Sequence, residues 1–467
     1  MSLIKTFLSN LPEVRGPANK NLNFKTKLKW TLLILVAFFV LSVVPLYGLG
    51  ENALQQFEYL SLILGASFGS IVSLGIGPIV TASIILQLLV GSGIMKLDLT
   101  TGEGKKTFQG IQKFLALFFI VFEAIIYIFL GGLSPNPSLV GGAYISMQWL
   151  LVLQLIVGGI FILFMDEVIQ KWGFGSGVSL FIAAGVSSQI FIRAFSPLTA
   201  AGTLALGTGQ APTGVFFVLF QSLAGGNTIG AALAIAAIIS TVVVFAFSVF
   251  AQAMKVEIPL SFGRIRGHGI RWPLKFIYTS NIPVILIAAL LANIQLWARL
   301  LESWGRPWLG TFAGNVPATG LVAWVYSPNV VQNLITGSAT STIILQSIVY
   351  IALLMGGSVL FSIFWVQTAG MDARSQARQI MASGLQVPGF RRDQRVLEKI
   401  LNRYIFPLTV MGALTVGFLA AVADLSGALT SGTGLLLAVM IIYQLYEEIA
   451  QKHMMDMNPA LRKMMGG

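Results

Sequence analysis

Hydrophobic runs of about twenty residues alternate with short polar stretches along this chain of 467 residues. A helix of about 20 apolar residues crosses the roughly 30 Å hydrocarbon core of a lipid bilayer. The pattern therefore predicts a bundle of transmembrane helices. We expect ten spans, near Trp30–Leu46, Ile71–Val90, Phe114–Leu130, Trp149–Met165, Val178–Phe195, Gly230–Phe250, Phe276–Leu296, Thr342–Trp365, Tyr404–Ala423 and Gly434–Tyr446.

The composition excludes a water-soluble globular protein. Hydrophobic residues make up 56% of the chain and charged residues only 10%, against about 25% charged residues in an ordinary soluble domain. The absence of cysteine excludes disulfides and thiol chemistry, and two histidines weigh against a multi-histidine metal site. Phosphate-binding and zinc-protease motifs are also missing. We therefore predict that the chain is not an enzyme and carries no cofactor.

The distribution of positive charge predicts the orientation in the membrane. If the N-terminus is cytoplasmic, 26 of the 29 Lys and Arg residues fall in cytoplasmic segments, and only Arg193, Arg299 and Arg306 lie outside. Cytoplasmic loops of membrane proteins carry an excess of Lys and Arg. The sequence thus predicts a multi-pass membrane protein with both termini in the cytoplasm.

One segment, Asn52–Gly65, fits neither a loop nor a full span. It is partly apolar, but it is short and contains Glu58. It could lie on the external surface as a helix. Alternatively, it could dip into the membrane and break, which is allowed only where protein or a cavity surrounds it. The residues alone favour neither alternative.

Two short matches suggest an internal repeat. Gly175-Ser-Gly opens the fifth span as Gly432-Thr-Gly opens the tenth, and Ile76-Gly-Pro in the second span resembles Asn281-Ile-Pro in the seventh. Both matches pair spans that are five apart. Because an odd number of spans per half inverts the second copy, they predict two inverted halves, as in many transport proteins. We place these halves at residues 1–229 and 230–467.

Charged groups are concentrated in two cytoplasmic loops, and few lie within the spans. Glu123 is the clearest charge inside a span; it either forms a packing hydrogen bond between helices or lines a path or gate. The basic loops comprise residues 253–276 and 371–404. They could contact anionic lipid, or they could bind a polyanionic partner such as ribosomal RNA.

Long contiguous motifs resemble the SecY family, the large subunit of the protein-conducting channel, in its archaeal type. The motifs are GIGPIVTASIILQLL, DEVIQKWGFGSGVSLFIAAG, EIPLSFGRIRG, PLKFIYTSNIPVIL and GFRRDQRVLEKILNRYIFPLTV. The resemblance covers the chain from about Leu28 to the C-terminal tail. It implies an all-α membrane protein in which ten transmembrane helices form two inverted halves and a short re-entrant plug helix blocks the pore.

The resemblance also implies roles for individual residues. A pore ring of aliphatic side chains comprises Ile76, Val80, Val178, Ile182, Ile285 and Leu437. Polar positions at a lateral gate are Thr81, Glu123 and Asn293. The plug helix includes Asn52, Leu54, Phe57, Leu60 and Leu64. Loop-tip residues that contact the ribosome are Arg264, Arg266 and Arg391.

The function that the resemblance implies is passage of secretory polypeptides across the membrane and sideways release of membrane segments. The implied partners are small subunits of the SecE and beta types, the translating ribosome, signal sequences and nascent chains, and the lipid bilayer. The main alternative is an inverted-repeat secondary transporter of a small solute, which explains neither the basic loops nor the plug-like segment. A membrane insertase or scaffold without a pore is a third interpretation.

Overall fold

A computed structural model describes residues 11–18, 22–52, 67–95, 97, 101–199, 204–205, 211–262, 269–279, 281–314, 316–338, 340–382, 385–386 and 393–457. The helices are α1 (Phe24–Val43), α2 (Gly77–Gly91), α3 (Gly102–Phe129), α4 (Gly142–Trp172), α5 (Gly177–Phe195), α6 (Val215–Ala224), α7 (Thr228–Ala253), α8 (Ile282–Ser303), α9 (Gly320–Val325), α10 (Val330–Ile335), α11 (Ser341–Thr368), α12 (Ala373–Ala382), α13 (Gln394–Leu425) and α14 (Gly432–Met457). The strands are β1 (Leu49–Asn52), β2 (Leu133–Pro135), β3 (Lys255–Phe262), β4 (Gly269–Lys275), β5 (Phe312–Ala313), β6 (Val316–Pro317) and β7 (Leu385–Gln386).

Nine helices in the described part of the chain are long and apolar enough to cross a membrane. They correspond to nine of the ten expected spans, and most of them extend beyond the apolar run that identified them. These helices are α1, α3, α4, α5, α7, α8, α11, α13 and α14. The molecule is therefore a helical, multi-pass membrane protein.

The second expected span begins later than the sequence pattern indicated. Residues 71–76 form turns, and helix α2 starts only at Gly77, with Pro78 in its first turn. Gly75 has a φ of 56°, a left-handed conformation that favours glycine. The 15 residues of α2 give a length of about 22 Å, less than the hydrocarbon thickness. The total of ten spans therefore remains a prediction.

Helix α8 starts in the same way. The expected span began at Phe276, but the helix begins at Ile282, with Pro283 in its first turn. The residues before the two helices, Ile76 and Asn281, have nearly the same backbone angles, with φ of −86° and −87° and ψ of −3° and −12°. A proline lacks the N–H that would be unpaired at a helix start. The two segments matched by sequence thus share a local structure.

Two buried aspartates hold the starts of α5 and α14. The Asp166 Oδ1 atom accepts a hydrogen bond from the Val178 backbone N–H at 3.0 Å. The Asp424 Oδ1 atom accepts one from the Thr433 N–H at 2.7 Å, and its Oδ2 atom accepts one from the Tyr350 hydroxyl at 2.7 Å. Each aspartate lies near the end of the preceding helix, α4 or α13. A carboxylate at this position satisfies helix N–H groups and interacts favourably with the helix dipole.

The two basic loops join in one small sheet of order β4-β3-β7. Strands β3 and β4 form an antiparallel hairpin, and β3 pairs with β7 through Ser261 with Gln386 and Phe262 with Leu385. A hydrophobic cluster joins this sheet to α12 and to the start of α13. Its buried members are Ile258, Leu274, Tyr278, Val366, Ala373, Ala377, Ile380, Leu397, Leu401, Ile405 and Leu408.

The N-terminal segment, residues 11–18, is held against the end of α4. Glu13 forms an ion pair with Lys171, and the Val14 backbone N–H donates to the Glu167 Oε2 atom at 2.9 Å. The Lys171 ammonium also donates to the Val14 carbonyl at 2.5 Å. The hydrogen bond from Lys171 lowers the pKa of Glu13 below its usual range. The segment is therefore tied to α4 by charge and by backbone hydrogen bonds.

Aromatic contacts place both ends of the described chain on the same side of the molecule. The Phe24 ring, at the start of α1, lies 5.7 Å from the Phe174 ring and 5.1 Å from the His453 ring near the end of α14. We call this side, which carries the β3–β4 hairpin, α12, β7 and the C-terminal ends of α4 and α14, the basic face.

Candidate functional site

The six aliphatic residues expected at the pore ring lie near the starts of four helices. Ile76 directly precedes α2, and the other five lie within the first two turns of α2, α5, α8 and α14. Five are buried and Val178 is half-buried, and all six belong to or pack against one hydrophobic core. The residues are Ile76, Val80, Val178, Ile182, Ile285 and Leu437.

The helix starts determine which ring side chains share a face. Ile76 and Val80 are four residues apart, as are Val178 and Ile182, so each pair lies on one side of its helix. Residues 72–76, although non-helical, are buried, with Val72 and Leu74 at 0% exposure, and Ile71 is half-buried. Non-helical backbone at membrane depth requires such cover. The six side chains carry neither charge nor hydrogen-bonding groups, so a ring formed by them would hold water weakly.

The three residues expected at the lateral gate form one polar contact, with Thr81 in the middle. The Asn293 Nδ2 atom on α8 donates to the Thr81 Oγ1 atom on α2 at 3.0 Å. The same Oγ1 atom lies 3.4 Å from the Glu123 Oε1 atom on α3 and 2.8 Å from the Gly77 carbonyl. These contacts connect Asn293 to Glu123 through Thr81. We call Thr81, Glu123 and Asn293 the polar joint.

Glu123 is buried with one oxygen unused. Its side chain is 3% exposed, and the Oε2 atom has no hydrogen-bond partner among the described residues. A buried polar atom without a partner costs about 1–3 kcal/mol. The polar joint therefore holds one buried carboxyl oxygen, between α2, α3 and α8, that pairs with none of the described residues.

Two groups of expected site residues lie outside the described residues. Leu54, Phe57, Leu60 and Leu64 of the expected plug helix fall in this category, and Asn52 is described only as the last backbone residue of β1. The expected ribosome contacts Arg264, Arg266 and Arg391 also lie outside. The strands that flank Arg264 and Arg266 are described and form the β3–β4 hairpin.

Our reasoning from the sequence missed the two capping aspartates, although a signal for them exists. Asp166 precedes Gly175-Ser-Gly and Asp424 precedes Gly432-Thr-Gly at nearly the same distance. An acid repeated ahead of a glycine-rich helix start in both halves is a capping signal. It also missed the hairpin, because the alternation of apolar and polar residues in KVEIPLSF and GIRWPLK was attributed to a basic loop.

Comparison with known proteins covers nearly the whole chain. A family model described as SecY matches residues 70–446. A protein translocase subunit SecY from Methanothermobacter thermautotrophicus is 46% identical over 98% of this chain and 97% of its own length.

Solved structures give the same result at the level of the fold. One SecY structure, described as having a plug domain that stabilises the closed translocation channel and maintains a membrane seal, matches with a TM-score of 0.81 and 39% identity. It covers 97% of this chain and 98% of that chain. Sec61 in the canine ribosome-channel complex matches with a TM-score of 0.78 and 38% identity, over 97% and 98% of the two chains.

The buried helix starts, the polar joint and these similarities define the class as a multi-pass helical membrane protein with the fold of the translocation channels. Within this class, the chain belongs to the SecY family.

The bond between Thr81 and Asn293 can be tested by a double-mutant cycle. Thr81→Val and Asn293→Leu should each lower the free energy of unfolding in detergent, and the double variant should lose less than the sum. We expect a coupling of about 0.6–1.5 kcal/mol, the range for a hydrogen bond between membrane helices. As a control, Ser83→Ala should show no coupling to Asn293→Leu, because Ser83 bonds to Gln112 and the Ile79 carbonyl. Additive losses for Thr81 and Asn293 would contradict the bond.

Proposed function

We propose that this chain is the pore-forming subunit of a protein translocation channel. Secretory polypeptides pass through the aliphatic ring, and membrane segments leave sideways where α2 and α3 meet α8. The observation that carries the proposal is the arrangement of helix starts. Four helices present aliphatic residues from their first turns to one buried core, and a polar joint connects α2 and α3 to α8 beside that core. We assign no catalytic step to the chain.

We further propose that the chain consists of two inverted halves, residues 1–229 and 230–467. The matching backbone before α2 and α8 supports this division, as do the aspartate caps at the starts of α5 and α14. We place the plug helix in the first half, at about residues 52–65.

We propose that the basic face is cytoplasmic, with both termini on that side of the plasma membrane. The charge distribution supports this orientation, and the contact between Phe24 and His453 supports placing both ends together. On this face the two basic loops would bind a translating ribosome; a similar solved protein, Sec61, is described in a ribosome-channel complex. Small subunits of the SecE and beta types, signal sequences and nascent chains complete the set of partners.

The proposed path can be tested by site-specific photo-crosslinking of a stalled secretory chain. A probe at Ile76 or Ile285 should react with the stalled chain, because both residues would line the passage. A probe at Ile239 on α7, which is 57% exposed on the outer surface of the described helices, is the matched control and should react mainly with lipid. Equal reaction at Ile239 and Ile76 would refute the path, and no reaction with polypeptide at any position would favour a solute transporter.

The seal at the ring can be tested by ion conductance. Replacing Ile76, Val80 and Ile285 together by Ser should make the resting channel leak ions, because the hydroxyl groups hold water where aliphatic side chains exclude it. Replacing Ile239, Val242 and Val243 of α7 by Ser introduces the same chemistry at exposed positions and should leave conductance unchanged. The measurement is the ion conductance of bilayers that contain the reconstituted channel. If the variant with all three ring residues replaced does not leak ions, the assignment of the ring is wrong.

Ribosome docking can be tested by charge reversal. The two basic loops hold 12 of the 29 Lys and Arg residues. Converting Arg264, Arg266 and Arg391 to Glu should strongly weaken ribosome binding and flatten its salt dependence, because each lost phosphate contact removes counterion release. If the three arginines lie at loop tips, as proposed, each substitution should change the free energy of unfolding by less than about 0.5 kcal/mol.

Co-sedimentation with ribosomes across a salt series measures this effect. Converting Lys25, Lys105 and Lys106, which are exposed near the starts of α1 and α3, to Glu produces the same change in net charge and is the control. Unchanged affinity and salt slope in the arginine variant would exclude these arginines as ribosome contacts.

A further inference from the structure

The carboxylate of Glu447 connects the β3–β4 hairpin to α14. Glu447 on α14 forms an ion pair with Lys275 and lies 3.6 Å from the Lys255 ammonium through its Oε1 atom. Lys255 is the first residue of β3 and Lys275 the last of β4, and the two are directly paired in the hairpin register. Glu447 therefore contacts both strands of the hairpin at its base.

The Glu447 carboxylate counters the repulsion between the two lysines. Like charges directly opposite each other on neighbouring strands destabilise the pair, and Lys255 and Lys275 are such a pair. The Glu447 side chain is 19% exposed, whereas the two lysines are 42% and 39% exposed. An acid that is more buried than its two partners offsets their repulsion and fixes the hairpin base relative to α14.

The same helix carries a ring residue. Leu437 lies ten residues before Glu447 on α14, about 15 Å along the axis. Helix α14 also packs along α5, which carries Val178 and Ile182, and its end contacts Phe24 through His453. Helix α14 therefore connects the basic face to expected ring residues on two helices.

The second basic loop is also bonded to the β3–β4 hairpin that Glu447 contacts. Strand β7 of the second loop pairs with β3. The Tyr278 hydroxyl, just after the hairpin, donates to the Met371 carbonyl at the start of the second loop at 2.6 Å. The second loop is therefore joined to the hairpin at two places, at the far end of β3 through β7 and just after β4 through Tyr278.

We propose that Glu447 is the positioning residue that transmits docking of a polyanion on the basic face to α14 and the pore ring. The proposal rests on the docking function proposed above. Docking displaces the hairpin, and the ion pairs with Lys255 and Lys275 make α14 follow. Because coupling between two equilibria is reciprocal, opening of the ring also changes the affinity of the hairpin for its partner.

The first test measures, in the absence of any partner, whether the Glu447 ion pairs stabilise the base of the hairpin. Glu447→Gln keeps the shape of the side chain and removes its charge. Hydrogen exchange at the amides of Val256 and Leu274 in the purified channel complex should become about threefold faster, the size expected for partly exposed ion pairs. Glu448→Gln, at the exposed neighbouring residue, is the control and should leave exchange unchanged. In a background with Lys255→Met and Lys275→Met, Glu447→Gln should have no further effect.

The second test measures transmission with ribosomes as the probe. Glu447→Gln should keep or tighten ribosome binding, because it removes a negative charge from the basic face. It should reduce the conductance increase on docking at least about fivefold, whereas Glu448→Gln should behave as the wild type. Normal docking with an undiminished conductance response in Glu447→Gln would overturn the assignment of Glu447 alone. If the wild type shows no salt-dependent ribosome binding, both the proposed docking function and the proposed role of Glu447 in transmitting it are wrong. The hydrogen-exchange result then shows only whether Glu447 stabilises the hairpin base.

Discussion

Every backbone amide inside a hydrocarbon layer needs a hydrogen-bond partner within the protein, and this requirement explains the centre of the molecule. Helix starts are where this requirement is hardest to meet, because the first four N–H groups lack partners in the helix. The four ring-bearing helices meet it in two ways. Helices α2 and α8 have a proline, which has no N–H to satisfy, as their second residue, and a buried aspartate accepts hydrogen bonds at the starts of α5 and α14. The residues proposed for the ring occupy the first turns of these four helices.

The polar joint has a different role from the ring beside it. Its hydrogen bond between Asn293 and Thr81 joins α8 to α2, and its energy is small compared with the apolar contacts around it. A contact of this kind adds geometric specificity more than stability. The Glu123 Oε2 atom, which has no hydrogen-bond partner among the described residues, leaves the joint with one hydrogen-bonding position unused.

The sequence predicted the membrane class, nine of the spans and the family, because twenty-residue apolar runs and long motifs are strong local signals. It misplaced the starts of α2 and α8, because Ile71 and Phe276 continue the apolar run although the helix begins only at the proline turn. Hydropathy reports burial in lipid or protein and does not distinguish helix from buried turn. The pairing of β3 with β7 could not be predicted for another reason. It joins loops that are more than 100 residues apart, and local sequence patterns carry no signal for such a contact.

The contact of the N-terminal segment with α4 has a consequence for biosynthesis. Glu13 and Lys171 are 158 residues apart in the chain. At about 5–20 residues per second, the segment waits about 8–30 s after its own synthesis before its partner exists. During that interval three other helices are made and must insert. The ion pair can form only when the end of α4 has reached the side of the membrane where the segment lies, so its formation reports that α4 has inserted in this orientation.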